Sequence, residues 1–434
     1  MSNLKLCATR RLYGLGVALS VTMIFAAHSF SGTRPPSFVI PLSIAGVVYL
    51  LAIRELLSTP KFPKHLVITG LLFAAIWQIP FLVKTPGADD DIHRYLWDGR
   101  IQRLGYNPYL VVPNAPALRS LHTVETRTLN HPDLPSPYPP AAELFFRAVI
   151  SIHESLFAMK VALFICGLAI VPLLLEVLHR SGKGAHWVLA FAWHPLLAID
   201  VAGSGHVDIL GALILLVSFA ALARRWRSVA AVTLGLAVAV KFLPIILLPL
   251  YWKRIRMRDT ALAAVTLALL YLPFLNHGHI PTGSLGTYVH SFWFNDPVFA
   301  ALEHVAPPEI IAGFAVLIGF LTAFWLRSTS DTVNPGAFAW PMAASLLCAP
   351  VVYPWYLLWM LPFLRSAWTL PLIVWTVSIL PTYEVWHLRA LGKPFIVPGW
   401  ILLAEYGSVA MAAVALGFRW MRSLKTSAPE ESKT

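Results

Sequence analysis

The sequence predicts an all-α protein that crosses a membrane many times. Three observations predict it. Of 434 residues, 57% are hydrophobic and only 12% are charged, with a mean hydropathy of +0.68, well away from the balance of a soluble domain. The apolar residues gather in windows of about 20, the length a helix needs to span the hydrocarbon core. Lys and Arg cluster in alternate connections between those windows, the pattern that cytoplasmic loops impose. The formal charge of +12 therefore reads as membrane topology, and the scattered basic residues exclude a nucleic-acid surface. Cys7, Cys166 and Cys348 are too few and too far apart for a disulfide framework or a thiolate metal site.

Taken in order, apolar spans are expected near 12–31, 38–57, 66–83, 156–178, 185–202 and 207–222. A broken segment follows at 229–252, then spans near 259–275, 309–326, 336–352, 354–365, 368–382 and 400–418. This amounts to about 11–13 spans plus a broken re-entrant pair. A single membrane domain is expected over 1–425, and a disordered tail over 426–434. The basic start (Lys5, Arg10, Arg11) invites a signal-peptide reading. The apolar run is long for that and no small-x-small cleavage site follows, so an uncleaved first span is expected.

With the N-terminus inside, about 21 of the 33 Lys and Arg fall on the cytoplasmic side. The segment 229–252 decides the parity, because Arg224, Arg225 and Arg227 precede it and Lys253, Arg254, Arg256 and Arg258 follow it. Both of its ends should be cytoplasmic. Two short helices meeting at Val240-Lys241-Phe242-Leu243-Pro244 satisfy this, provided protein or a polar cavity shelters the break. The same parity puts the loop of about 84–155 outside, with those near 203–206, 276–308 and 383–399. A loop as long as the first carries function or structure of its own.

That loop opens on Asp89-Asp90-Asp91-Ile92-His93-Arg94-Tyr95-Leu96-Trp97-Asp98-Gly99-Arg100. The stretch reads as a short helix lying on the membrane surface, Ile92, Leu96 and Trp97 toward lipid. Asp91, Arg94 and Asp98, at i, i+3 and i+7, then share one face. Three adjacent carboxylates at a membrane boundary repel one another and lose solvation. A helix cap needs one acid, not three. A general base suits the cluster better than a divalent-cation site, since no second acidic cluster completes a cage.

Arg94, Arg100 and Lys241 are cations suited to a phosphate, set against the plainer reading of side chains snorkelling to the headgroups. In Gly203-Ser204-Gly205-His206-Val207-Asp208, His206 and Asp208 suit a sugar or a phosphate. The alternative is an ordinary turn with a capping Asp. Trp293-Phe294-Asn295 and Pro354-Trp355-Tyr356 read first as interfacial aromatic belts and only second as platforms for sugar rings.

Together these pieces resemble the GT-C class of membrane glycosyltransferases, in particular the polyprenol-phosphate-sugar-dependent, mannosyltransferase-like proteins of glycosyltransferase family 87. The resemblance rests on Asp90-Asp91-x-x-Arg94-Tyr95-x-Trp97-Asp98-Gly99-Arg100, Gly105-x-Asn107-Pro108-Tyr109, Tyr138-Pro139-Pro140 and Gly205-His206-x-Asp208. It continues in Lys241 before a Pro-rich segment, Phe292-Trp293-x-Asn295 and Pro354-Trp355-Tyr356-x-x-Trp359, and so spans about residues 85 to 360. His93 stands where such proteins often carry Tyr, and Asp89 is an additional acid, which leaves open which Asp is the base.

The resemblance implies an all-helical enzyme of the bacterial cytoplasmic membrane with both termini inside. It implies a hexose, mannose first, passing from a polyprenyl-phosphate donor to a lipid- or glycan-linked envelope acceptor on the outer face. No cofactor is firmly implied, although a divalent cation is compatible. Asp91 or Asp90 is the implied base. Arg94, Arg100, Lys241 and His206 are implied around the donor phosphate. Trp97, Asp98, Asn107, Tyr109, Tyr138, Asp208 and Asn295 are implied at the substrates. A polyprenyl phosphate leaves readily, so the chemistry needs cations for the developing charge and a base for the acceptor hydroxyl. One base with in-line attack gives inversion. A transporter or lipid flippase is the competing reading. Such proteins place ionisable residues at the bilayer midplane between internal repeats, and neither is evident here.

Overall fold

The computed structural model describes residues 2–59, 62–87 and 90–426, so Asp89 and the tail from 427 onward lie outside the described residues. Its helices are α1 (Ser2–His28), α2 (Pro36–Ser58), α3 (Lys64–Leu82), α4 (Ile92–Arg103), α5 (Pro140–Ile152) and α6 (Leu156–Arg180). Next come α7 (Val188–Ala192), α8 (Asp208–Ala223), α9 (Arg227–Val238), α10 (Met257–Tyr271), α11 (Leu285–Ser291) and α12 (Pro297–Leu302). The last are α13 (Pro308–Thr329), α14 (Gly336–Leu347), α15 (Leu370–Ser378), α16 (Glu384–Ala390) and α17 (Gly399–Thr426). Among the described residues, β pairing amounts to two isolated bridges, Asn276 with His279 and Phe294 with Val351. The expected all-α polytopic class is what forms.

Among the described residues, seven helices are long and apolar enough to cross a membrane: α1, α2, α3, α6, α10 (extended to Phe274), α13 and α17. An eighth span arises if the pair Ala185–Ala192 and Leu197–Gly203, bent by 65°, is counted as one. This is fewer than the 11–13 full spans expected: α8 and α14 are only 16 and 12 residues long, and proline breaks the segment after α14. Pro244 and Pro249 turn residues 243–251 into a 3₁₀ stretch, while Pro354, Pro362, Pro371 and Pro381 cut 354–383 into short pieces. Each removes a backbone donor and clashes with the preceding turn. Such pieces survive at membrane depth because protein surrounds them: Leu247, Leu250, Leu357, Leu358, Trp359 and Phe363 are all buried.

The broken segment 229–252 folds as expected. Ser218 Oγ, near the end of α8, donates to Ala230 O and bonds Tyr251 Oη, both at 2.6 Å. The first turn of α9 and the last turn of the 3₁₀ stretch therefore lie side by side, and Lys241 sits at the break at their far end. There Ala239 O accepts from Ala141 N at 2.8 Å and from Ala142 N at 3.4 Å, two of the orphan donors at the start of α5.

The surface helix is corrected. α4 does form, but Ile92, Leu96 and Trp97 are buried in protein and do not face lipid. The loop between α4 and α5 folds back over the helix: His122 stacks on Trp97 at 4.0 Å with planes 11° apart. α5 packs closely on the other side, where a Cβ at Gly99 would meet the Phe146 carbonyl at 2.9 Å.

Candidate active site

One large cavity of about 1080 Å³ opens at the end of the bundle that carries α4, the start of α8 and the tip of the broken pair. Its lining comes from three of the four loops assigned to one side by charge. Asp91, 130–134 and 137–139 come from the first long loop, Leu285, Thr287 and 291–293 from the third, and Trp386, Arg389 and Phe395 from the fourth. Asp208 and Lys241 complete its polar wall.

The carboxylates that open the first loop have different fates. Asp90 is closed: Arg34 Nη2 reaches both its oxygens at 3.2 and 3.3 Å, and Gly87 N donates to Oδ2 at 2.6 Å. The same Arg34 nitrogen bonds Ser204 Oγ at 2.8 Å, which ties the start of α4 to the loop before α8. Asp91 faces the cavity with 20% of its side chain exposed. Asn130 Nδ2 donates to its Oδ1 at 2.9 Å, and His206 Nδ1 lies 3.7 Å from Oδ2. Burial pushes the Asp91 carboxyl up, but His206 above all, then Asn130 and Lys241, outweigh it and hold it below its ordinary value.

The cationic pole is Lys241. Its Nζ donates to Asp208 Oδ1 at 2.8 Å and lies 3.7 Å above the Tyr356 ring. Trp359 Nε1 donates to the same Asp208 oxygen, also at 2.8 Å. Only glycine at 211 lets the indole lie this close to α8, because a Cβ there would sit 1.9 Å from the ring. Asp208 is 1% exposed and Lys241 23%, so the ammonium keeps a face toward the cavity while its partner is sealed. The aromatic wall is continuous. His206 stacks on Trp355 at 3.9 Å, Trp355 on Tyr353 at 4.4 Å, and Tyr353 on Phe294 at 4.5 Å.

Of the residues expected at the site, Asp91, Tyr138, Asp208 and Lys241 line the cavity, and His206 stands directly behind Asp91. The others are occupied elsewhere. Arg94 Nε bonds both oxygens of Asp98 at 2.9 and 3.1 Å, and its terminal nitrogens reach the carbonyls of His131 and Leu134. Its donors are spent on holding the loop that forms one cavity wall. Asp98 shares its pocket with Glu143, which Ser136 and Gln102 bond. Burial, then the neighbouring Asp98, raises the Glu143 carboxyl well above its ordinary value. Arg100 pairs with Glu154 and with Leu121 O, and Trp97 belongs to a small separate cluster with Leu118 and Leu129. Asn107 donates to Phe274 O and Tyr109 to Tyr138 O, bonds that pin loops. Asn295, in a left-handed conformation (φ 55°), donates to Glu405 Oε1 at 3.0 Å.

Sequence reasoning missed Asn130, Arg34, Asp200 and Glu143, and it placed Trp355 and Tyr356 first in interfacial belts, while Trp359 entered only through the resemblance. The Pro354-Trp355-Tyr356-x-x-Trp359 spacing did carry a signal. In a 3₁₀ stretch the i and i+3 side chains eclipse, and Tyr356 and Trp359 do converge on the Lys241–Asp208 pair. Among the described residues, no group of three or more His, Cys, Asp or Glu is arranged to hold a metal ion.

Alpha-(1->6)-mannopyranosyltransferase A of Mycobacterium tuberculosis (strain ATCC 25618 / H37Rv) is 26% identical over 338 residues, 65% of this chain. The chain spans 62% of that relative's length. The crystal structure of ArnT from Cupriavidus metallidurans bound to undecaprenyl phosphate aligns over 81% of this chain and 76% of its own, with 15% identity and a TM-score of 0.44. The model of one family, described as alpha-(1->6)-mannopyranosyltransferase, N-terminal domain, matches residues 38–257. That match runs from α2 through the broken pair and takes in both Asp91 and Lys241; the chain belongs to the MptA/MptB alpha-(1->6)-mannopyranosyltransferase family.

Proposed function

We propose that this protein is a membrane glycosyltransferase that moves mannose from a polyprenyl-phosphate donor to a lipid- or glycan-linked acceptor at the outer face of the membrane. One observation carries the reading: Asp91 and Lys241 face a single large cavity with an aromatic wall, within a chain of mannosyltransferase family. The acceptor hydroxyl gives its proton to Asp91 as its oxygen attacks the anomeric carbon. The bond from that carbon to the donor phosphate breaks, and the charge gathering on the phosphate meets Lys241. Asp208 and Trp359 hold the ammonium in place, and Tyr356 covers its face. Aromatic rings such as Trp293, Trp355 and Trp386 in the lining suit the apolar faces of sugars. A single base and in-line attack invert the anomeric carbon, so an α-linked product requires a β-linked donor.

This reading assigns the phosphate to Lys241 and gives Arg94, Arg100 and Asp90 structural work, since their partners within the protein already use them. The test is transfer from labelled polyprenyl-phosphate mannose to a membrane-lipid acceptor fraction in reconstituted vesicles. Transfer by the wild-type protein that Asp91→Asn abolishes is the expected result. Flipping of the donor without transfer would replace the reading with transport. Sidedness is tested by Ala117→Cys and Lys183→Cys in intact cells, where an impermeant thiol reagent should modify only the first. Both positions are exposed.

A further inference from the structure

His206 is buried, and among the described residues neither ring nitrogen has a hydrogen-bond partner, a state that native structures seldom leave without reason. Two carboxylates flank the opposite edges of its ring. Nδ1 stands 3.7 Å from Asp91 Oδ2, and Nε2 stands 4.0 Å from Asp200 Oδ1. Trp355 covers the ring face at 3.9 Å with planes 9° apart, and an indole face favours a cation.

The backbone leaves the imidazole little freedom. His206 N donates to Asp200 O at 2.7 Å. Gly205 before it has φ +73°, and a Cβ there would meet Ile92 Cδ1 at 2.7 Å. Asp200 comes from the π-helical turn Leu197–Gly203, a wide turn that often marks functional positions.

The other polar groups around the ring are occupied. Asp90 is closed by Arg34, which also bonds Ser204. Tyr383 donates to Asp200, Tyr95 accepts from Val207 N, and Asp208 holds Lys241 on the cavity side. Two carboxylates and an indole face thus surround an imidazole with no cation in contact with it. That surrounding stabilises the imidazolium. Burial lowers the His206 pKa, but Asp91, Asp200 and Asp90 outweigh it and raise the net value.

We propose that His206 is a positioning residue that acts through Asp91: held as an imidazolium between Asp91 and Asp200, it keeps the Asp91 carboxylate ionised and turned toward the cavity. The proposal rests on the reading of Asp91 as the base, and it removes His206 from the donor phosphate. The reaction's proton still goes from the acceptor hydroxyl to Asp91. His206 forms and breaks no bond; its charge sets the protonation state of its neighbour.

The experiment is the pH dependence of kcat/KM in reconstituted wild-type, His206→Gln, Asp200→Asn and Asp91→Asn proteins, each checked for a monodisperse detergent profile. Loss of the imidazolium leaves only Asn130 and Lys241 against the burial of Asp91, so the acid limb of His206→Gln should move up by about 1–3 pH units. Activity should recover as the pH is raised, with donor KM changed less than about twofold. Asp200→Asn keeps the ring but removes its counter-charge, so the imidazolium is lost at lower pH and the acid limb should again move up, by less than in His206→Gln; it carries the test if His206→Gln does not fold. Unmoved limbs in both variants, or a His206→Gln loss confined to donor KM, would overturn the proposal. Turnover retained by Asp91→Asn would instead withdraw the base assignment beneath it. An inactive Asp91→Asn with an unmoved His206→Gln profile would remove His206 alone.

Discussion

The start of α4 and its middle carry the same residue types and use them in opposite ways. At the start, Asp91 has one oxygen on Asn130 and the other near His206, and its carboxylate looks into the cavity. Seven residues later Asp98 is sealed, with both oxygens on Arg94 Nε, while the rest of that guanidinium is spent on two carbonyls. The i, i+7 spacing does put both acids on one stripe, but about 10 Å apart along the axis, enough to take Asp98 out of the cavity. A buried charge in this protein is available for chemistry only where its neighbours leave one edge of it open.

That contrast can be broken most directly at Asp91. Asp91→Asn should lower kcat about 10²–10⁴-fold with the protein level and detergent melting unchanged. Asp90→Asn, which strands Arg34, should show the reverse, a less stable protein whose remaining folded fraction still turns over. Equal losses of kcat at both positions would erase the distinction.

The second effect belongs to Arg94. Both members of the Arg94–Asp98 pair are sealed, at 4% and 1% exposure, so Arg94→Met leaves an uncompensated carboxylate beside Glu143 at a cost of about 3–5 kcal/mol. The paired change Arg94→Met with Asp98→Leu should recover most of that stability in a thermal-unfolding assay. If the single variant melts like wild type but loses donor affinity, Arg94 is a phosphate ligand after all.

Lys241 sharpens the comparison because it is both paired and open. Lys241→Met should weaken donor binding and also strand Asp208. Adding Asp208→Asn should restore the fold without restoring donor affinity, measured by binding of the labelled donor to purified protein. Recovery of both together would make the pair purely structural. The smallest effect is expected at Arg100, whose Glu154 pair is partly exposed on both sides. Arg100→Ala should cost no more than about 1 kcal/mol, and turnover should stay within about twofold.

Much of the fold was legible because the signals for it are local. Helix α6 could be read from one long apolar run interrupted only by Lys160 and Glu176 before its basic end, and the broken pair from basic clusters on both sides of a Lys-Phe-Leu-Pro break. α4 was read correctly as a helix and wrongly as a surface one. What buries it is a loop and a helix that arrive later in the chain, His122 against Trp97 and Phe146 against Gly99. The candidate site was legible in part. Asp91 and Lys241 stood out as ionisable groups without a topological excuse, whereas Trp355 and Tyr356 looked like any aromatic residues near a membrane boundary.

The sequence by itself determined the membrane class, the order of the apolar segments, which connections share a side, and the short list of charged residues from which a site could be built. Hydropathy and charge bias act within a window or a loop, so composition is enough to reveal them. Only the tertiary structure decided which of those charges remain available. Arg34 closes Asp90 from 56 residues away, Asp208 holds Lys241 from 33, Trp359 reaches Asp208 from 151, and Tyr383 reaches Asp200 from 183. A charge's partners are set by packing between distant segments, and in a low-dielectric interior those partners decide whether it is locked or ready to react.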